Sequence, residues 1–193
     1  MKIKYLFIFF VIIILTAVTH YFYKNTNKIG ILGDVHEHAD FKLYLNGVEH
    51  NFFQERYMSS KNKTISNFIH LHDMNGNIIH KHAKGIKLGF FFNALKMKFN
   101  STCFVLDNEV SYCNENDKTI KLYVNEIRNY KYEDYEFKDL DKILITYSNE
   151  TDKVIKEQII SITNKSCIYS EKCPELGKPP EETSCIGNEC AAE

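Results

Sequence analysis

The sequence predicts an α+β fold: mostly antiparallel β-hairpins with one or two covering helices, an N-terminal transmembrane helix and a disulfide-stapled C-terminal tail. Three observations carry this expectation. Short alternating segments are punctuated by turn residues, Asn46-Gly47 above all. A long apolar run opens the chain. Six cysteines fall late in the sequence, four of them in a polar, proline-containing tail.

Composition sets the bounds. Of 193 residues, 44% are hydrophobic, enough to bury a core and to exclude general disorder. Lys and Arg total 24 against 25 Asp and Glu, and Arg56 and Arg128 are the only arginines. A chain so balanced, with no basic stripe, is not a nucleic-acid binder, because phosphate neutralisation dominates that affinity.

Residues 1–23 read as a signal anchor. Lys2 and Lys4 precede a stretch, Tyr5 to Tyr23, with no full charge, close to the roughly 20 residues that span a bilayer. Tyr21, Phe22 and Tyr23 before Lys24 resemble an interfacial belt. The alternative is a secretory signal cut near Ala17-Val18-Thr19. Residues 5–23 are thus the expected membrane contact, with the N-terminus inside and the body outside the cytoplasm. Residues 24–35 form a polar linker, 36–163 the extracytoplasmic α+β domain and 164–193 the Cys-rich tail.

Within the domain, Phe41–Leu45 alternates and meets Asn46-Gly47, so Val48–Phe53 is the return strand of a hairpin. Ile120–Asn125 repeats the Lys-Leu-Tyr pattern and leads into a second hairpin through Tyr130. Leu88, Phe91, Phe92 and Leu95 make a helical stripe. Lys142–Tyr147 reads as a buried strand. Val154, Ile155, Ile159 and Ile162 give one buried face to a helix over 152–162, with Asn149 or Thr151 as its cap.

The cysteines are Cys103, Cys113, Cys167, Cys173, Cys185 and Cys190. A turn around Asp107-Asn108-Glu109 sets Leu106 opposite Val110 and Cys103 opposite Cys113, within reach of a cross-strand disulfide. The tail holds the other four and little apolar content, so two further disulfides are its expected staple, in any of three pairings. A four-cysteine zinc site is the alternative, although C-x5-C and C-x4-C are not zinc-ribbon spacings. No C-x-x-C occurs, which speaks against a thioredoxin-like centre. The cysteine usage indicates an oxidising compartment, and four Asn-x-Ser/Thr sequons are compatible with it.

The histidines carry the chemistry. Six of eight occur in three H-x-H pairs: His36/His38, His70/His72 and His80/His82. Residues i and i+2 share a face of a strand. A two-residue Asn75-Gly76 turn would put the second and third pairs on opposite faces. A type I turn from Asp73, with Gly76 left-handed in a G1 bulge, sets His70 opposite His80 and brings His70, His72, His80 and His82 to one face. That register also gathers Ile69, Leu71 and Ile79 on the other face, and it is the preferred one. His36-Glu37-His38-Ala39-Asp40 supplies a second set, His36, His38 and Asp40, that closes the same site or forms its own. Clustered imidazoles suit a transition metal, Cu, Zn, Ni or Fe. A polar sheet face or protein-contact patch is the plainer alternative.

No G-x-S-x-G, P-loop or G-x-G-x-x-G is present, and no catalytic residue is assigned. The acidic stretch Glu133–Asp141 reads as a solvated turn.

Several stretches, HEHADFKLYLNG, HLHDMNGNIIHKHAKGIKLGFFF, CFVLDNEVSYCN, FKDLDKILITY and CIYSEKCPELGKPPEE, resemble a group of small membrane-anchored extracytoplasmic proteins of archaea and small-genome bacteria. The resemblance covers roughly residues 35–190. It implies the location and a shared His/Cys framework rather than a reaction. Some members are labelled protein-disulfide isomerase, a label the missing C-x-x-C does not support here. The expected function is therefore a membrane-anchored, extracytoplasmic protein that binds a transition metal through a histidine-rich hairpin. The alternatives are a thiol-disulfide oxidoreductase or isomerase, or a surface module for an extracytoplasmic protein partner.

Overall fold

Alternation along one long strand organises the molecule. In β1 (Glu37–Leu45), Ala39, Phe41, Leu43 and Leu45 are buried on one face, while His38, Asp40, Lys42 and Tyr44 occupy the other. A computed structural model describes residues 2–26, 28–60 and 62–180. Cys185 and Cys190, and any bridge they make, lie outside the described residues.

The chain opens with α1 (Lys2–Thr26), passes through β1 and turns at Asn46-Gly47 into β2 (Val48–Glu49). Leu45 pairs with Val48, and both turn residues have positive φ, as the two-residue hairpin requires. Then follow β3 (Ile69–His70), β4 (Ile78–Lys81), α2 (Leu88–Ala94), β5 (Lys98–Phe99), β6 (Cys103–Val105), β7 (Ser111–Cys113), β8 (Thr119–Val124), β9 (Ile127–Asn129), β10 (Lys142–Ser148), α3 (Asp152–Ile160) and α4 (Ser166–Tyr169). The main sheet runs β3-β4-β1-β10-β8-β9, with β2 beside β1, and β5-β6-β7 form a second sheet.

The α+β class holds, and two parts of the expectation need correction. The sheet is mixed: β1 and β10 pair in parallel, Phe41 opposite Ile143, although the other named pairings are antiparallel. A parallel pair joins strands far apart in sequence, so no local hairpin signal announces it. The second correction is the transmembrane helix expected over 1–23. Among the described residues no helix is long and apolar enough to cross a membrane. Within α1, Thr16, Thr19 and His20 interrupt the apolar residues, and Thr16 and Thr19 turn their hydroxyls back onto the Ile13 and Thr16 carbonyls.

The main core lies on the Phe41 face. The Phe41 ring meets Phe52 at 5.0 Å and the edge of Phe91 in α2 at 5.4 Å. Phe92 passes the contact on to Phe104 of β6 at 4.9 Å, which fastens the second sheet to the first. Leu88, Phe91, Phe92 and Leu95 are all buried, the stripe read from the sequence. The other face is covered by α3 and α4. Leu144, Ile155 and Ile162 make a small apolar cluster there. Apart from the buried Ile78, the part of that face on β1 and β4 is polar, and it contains the histidines.

Cys103 and Cys113 are bonded across β6 and β7 at a Cα separation of 4.0 Å, in the expected register. The tail pairing that the sequence left open is, within the described residues, Cys167–Cys173. Residues 30–34 dock rather than dangle: Gly30 and Gly33 donate to the Lys84 and His82 carbonyls, and Asp34 accepts from the Lys84 amide.

Candidate metal centre

Three adjacent strands bring the histidines together. β3 pairs with β4 so that His70 lies opposite His80, and β4 pairs with β1 so that His38 lies opposite His80. One row across the sheet is therefore His70, His80, His38. Extending each strand by two residues adds His72, His82 and His36 to the same face. His38, His70, His72, His80 and His82 are at most 2% exposed, and His36, just before β1, is half-buried.

The hairpin register matches the one the sequence favoured, but its turn differs. The Asn75 amide donates to the His72 carbonyl at 3.0 Å, and Asp73 and Met74 between them both have positive φ. This is a type I′ turn centred on Asp73-Met74. Gly76 serves close approach instead: a Cβ there would lie 2.5 Å from the Phe52 carbonyl carbon.

A potential ligand nitrogen from each of His36, His38 and His80 falls within 4.8 Å of the other two. The HEHAD segment thus closes the site with the hairpin rather than forming its own. The remaining imidazoles surround this set. His82 lies between His36, at 4.8 Å ring to ring, and His70, at 5.0 Å. His72 contacts His80 at 3.7 Å. Asp40 is not a member of that group. Its carboxylate accepts from the Thr163 hydroxyl and from the Lys165 and Ser166 amides, at 3.0 Å each for the amides. It anchors the start of α4 onto β1, a role that its spacing from the histidines did not reveal.

Hydrogen bonds decide which ring nitrogen faces inward. A carboxylate only accepts, so His72 donates from Nδ1 to Asp73 Oδ2 at 2.6 Å. When His72 is neutral, its Nε2 accepts from His80 Nδ1, 2.9 Å away, and the His80 lone pair is then on Nε2. On the other strand, Ser170 donates its hydroxyl to Asp139 at 2.5 Å and accepts from His38 Nδ1 at 2.7 Å. The His38 lone pair is again on Nε2. His70 donates from Nδ1 to the Ser66 carbonyl at 2.8 Å, with the same result. The Nε2 atoms of His38, His70, His80 and His82 are all buried. Ligating histidines characteristically donate their other N–H to a carboxylate or carbonyl, directly or through an intermediary. The donor set therefore fits a first-row transition ion held by neutral imidazoles.

Ser170, His38 and Asp139 contain the residue types of a hydrolytic triad but not its order. The serine stands between the other two and gives its proton to the carboxylate, so it is no activated nucleophile. Burial pushes the Asp139 carboxyl up, but hydrogen bonds from Lys172, Ser170 and the His38 amide outweigh it and hold the group below the usual range. Asp139 is thus a stable anion behind His38.

The sequence did not mark Asp139, Ser170 or Tyr169 as site residues. Tyr169 covers the site, its ring edge-on to His80 at 5.1 Å, and its hydroxyl accepts from Asn75 at 2.9 Å. The one available signal was that Cys167 and Cys173 bracket Tyr169 and Ser170. Asp139 lies 101 residues from His38 in sequence, too far for any local pattern to show it. Set against known proteins, the chain matches no family model, no curated protein and no solved structure, so the site stands on its own geometry.

Proposed function

We propose that this protein binds a transition metal ion at His36, His38 and His80, in an oxidising compartment outside the cytoplasm. The observation that carries the reading is the pair of relays, Asp73–His72–His80 and Asp139–Ser170–His38, which fix two cross-strand histidines with Nε2 lone pairs directed into a buried site. Such preparation supports a ligand role over an incidental polar face, because gathering five buried imidazoles on one face is costly unless their nitrogens are held by hydrogen bonds or an ion. A bound divalent ion would supply Lewis acidity, with the open position that a three-histidine set leaves. His70, His72 and His82 pack the first three from behind and to the side. The two disulfides support the compartment.

The test is elemental analysis of the untagged full chain and of a His38→Ala/His80→Ala variant. The expected result is close to one equivalent of metal in the wild type and none in the variant, with an unchanged circular dichroism spectrum. A wild type that remains metal-free after exposure to Zn(II) and Cu(II) contradicts the proposal.

A further inference from the structure

We propose that the Cys167–Cys173 disulfide is a redox-sensitive clasp on the histidine site: it holds the metal-binding geometry when oxidised and releases it when reduced. This inference rests on the metal-binding reading and names its regulation.

The bridge closes a loop whose ends are six residues apart, and that loop carries the groups that touch the site. Ser170 holds His38 Nδ1, and Tyr169 walls off His80. Lys172 Nζ lies 2.5 Å from Asp139 Oδ2, joining the loop to the carboxylate behind His38.

The loop is anchored unequally. At its N-terminal side, Asp40 grips Thr163, Lys165 and Ser166, so α4 begins on the sheet whether or not the bridge exists. At its far side the chain leaves Cys173 through the 3-10 turn Pro174–Leu176, whose backbone bonds are local: Leu176 to Cys173 and Gly177 to Pro174. The disulfide is the covalent tie on that side. The loop's other ties are hydrogen bonds, from the Ser170, Glu171 and Lys172 amides to the Ser166, Ile168 and Cys167 carbonyls and from Ser170 and Lys172 to Asp139, so breaking the bridge loosens residues 169–173 while Asp40 keeps the start of α4 in place. His38 then loses the partner that fixes its tautomer, and water enters where Tyr169 stood. Both sulfurs belong to residues 7% exposed, shielded but not sealed, so a small dithiol reaches them slowly.

The chemistry balances with a dithiol as reductant. A thiolate attacks one cystine sulfur and displaces the other as a cysteine thiolate. The reductant's second thiolate then attacks the mixed disulfide and expels the first cysteine. Two electrons pass to the protein, two protons from the reductant complete the two thiols, and the dithiol leaves as a cyclic disulfide. Linkage makes the coupling reciprocal: whatever factor reduction removes from metal affinity, bound metal removes from the reducibility of the bridge.

The experiment uses the full chain and Zn(II) against a competing chelator. A Cys167→Ser/Cys173→Ser variant is expected to bind Zn(II) about tenfold or more weakly, the usual cost of losing an outer partner of a ligating histidine. A Cys103→Ser/Cys113→Ser variant, its bridge on the second sheet, keeps wild-type affinity. Because a variant can misfold, the reciprocal measurement uses wild type alone. At a fixed dithiothreitol concentration, the reduced-to-oxidised ratio at Cys167 and Cys173, read by alkylation and peptide mass, falls by the same factor when Zn(II) is added. Equal Zn(II) affinity in the two cysteine variants, or a ratio that ignores Zn(II), overturns the clasp while the metal site stands. A wild type that takes up no Zn(II) overturns the metal reading and the clasp with it.

Discussion

Single side chains in this protein are fixed by what their second polar atom does. His38 and His80 present Nε2 because Nδ1 is committed, through Ser170 and His72, to an aspartate. The same logic operates away from the site. The buried Tyr57 donates its hydroxyl to Asp107 at 2.9 Å, beside His50 Nε2 at 3.2 Å, with Arg56 across its ring. Burial first, and then the hydrogen bond to Asp107, push the Tyr57 hydroxyl up to about 12. Its unfolded value is near 10. The folded pKa is the higher, so the stabilisation is complete below pH 10 and is lost as pH rises through about 12. Tyr57→Phe should remove one tyrosinate transition near pH 12 from the ultraviolet titration. It should also cost about 1–2 kcal/mol in urea unfolding at neutral pH. A titration curve unchanged by the substitution would contradict this assignment.

At the scale of elements, legibility followed sequence distance. The β1–β2 hairpin, the Cys103–Cys113 ladder, the stripe of α2 and the His70–His80 register were readable because each is written in neighbouring residues. The turn between β3 and β4 was misread for a physical reason. Gly76 looked like a left-handed position, yet the left-handed residues are Asp73 and Met74, and the glycine is needed where the Phe52–Phe53 backbone passes. Gly76→Ala would set a Cβ 2.5 Å from the Phe52 carbonyl carbon and 2.7 Å from the Phe53 amide nitrogen, and backbone cannot yield cheaply. The expected loss is about 1–3 kcal/mol, read as a lower denaturation midpoint. An unshifted midpoint would mean that this approach is looser than described.

Over the whole molecule, the site is a product of topology. β1 and the residue just before it supply His38 and His36 because β1 lies between β4 and β10, and its parallel pairing with β10 leaves the histidine-bearing face for α3, α4 and the disulfide loop to cover. Neither that crossover nor the arrival of Asp139 and Ser170 at His38 was visible in the sequence, since each depends on contacts more than 100 residues apart. The spanning helix was expected from the charge-free run Tyr5 to Tyr23 and its flanking lysines and aromatics, and among the described residues no helix is long and apolar enough to cross a membrane. The central claim is that metal is held across strands, by β1 together with β4, and not by the hairpin alone. It is tested most directly by competitive Zn(II) titration of six single histidine-to-alanine variants. Substitution of His36, His38 or His80 should abolish tight binding, whereas His70, His72 and His82 variants should keep it with a loss of at most about 10–100-fold, as supporting residues do. Full affinity in the His36 and His38 variants, with binding lost in the His70 and His72 variants, would place the metal on the hairpin and contradict the account.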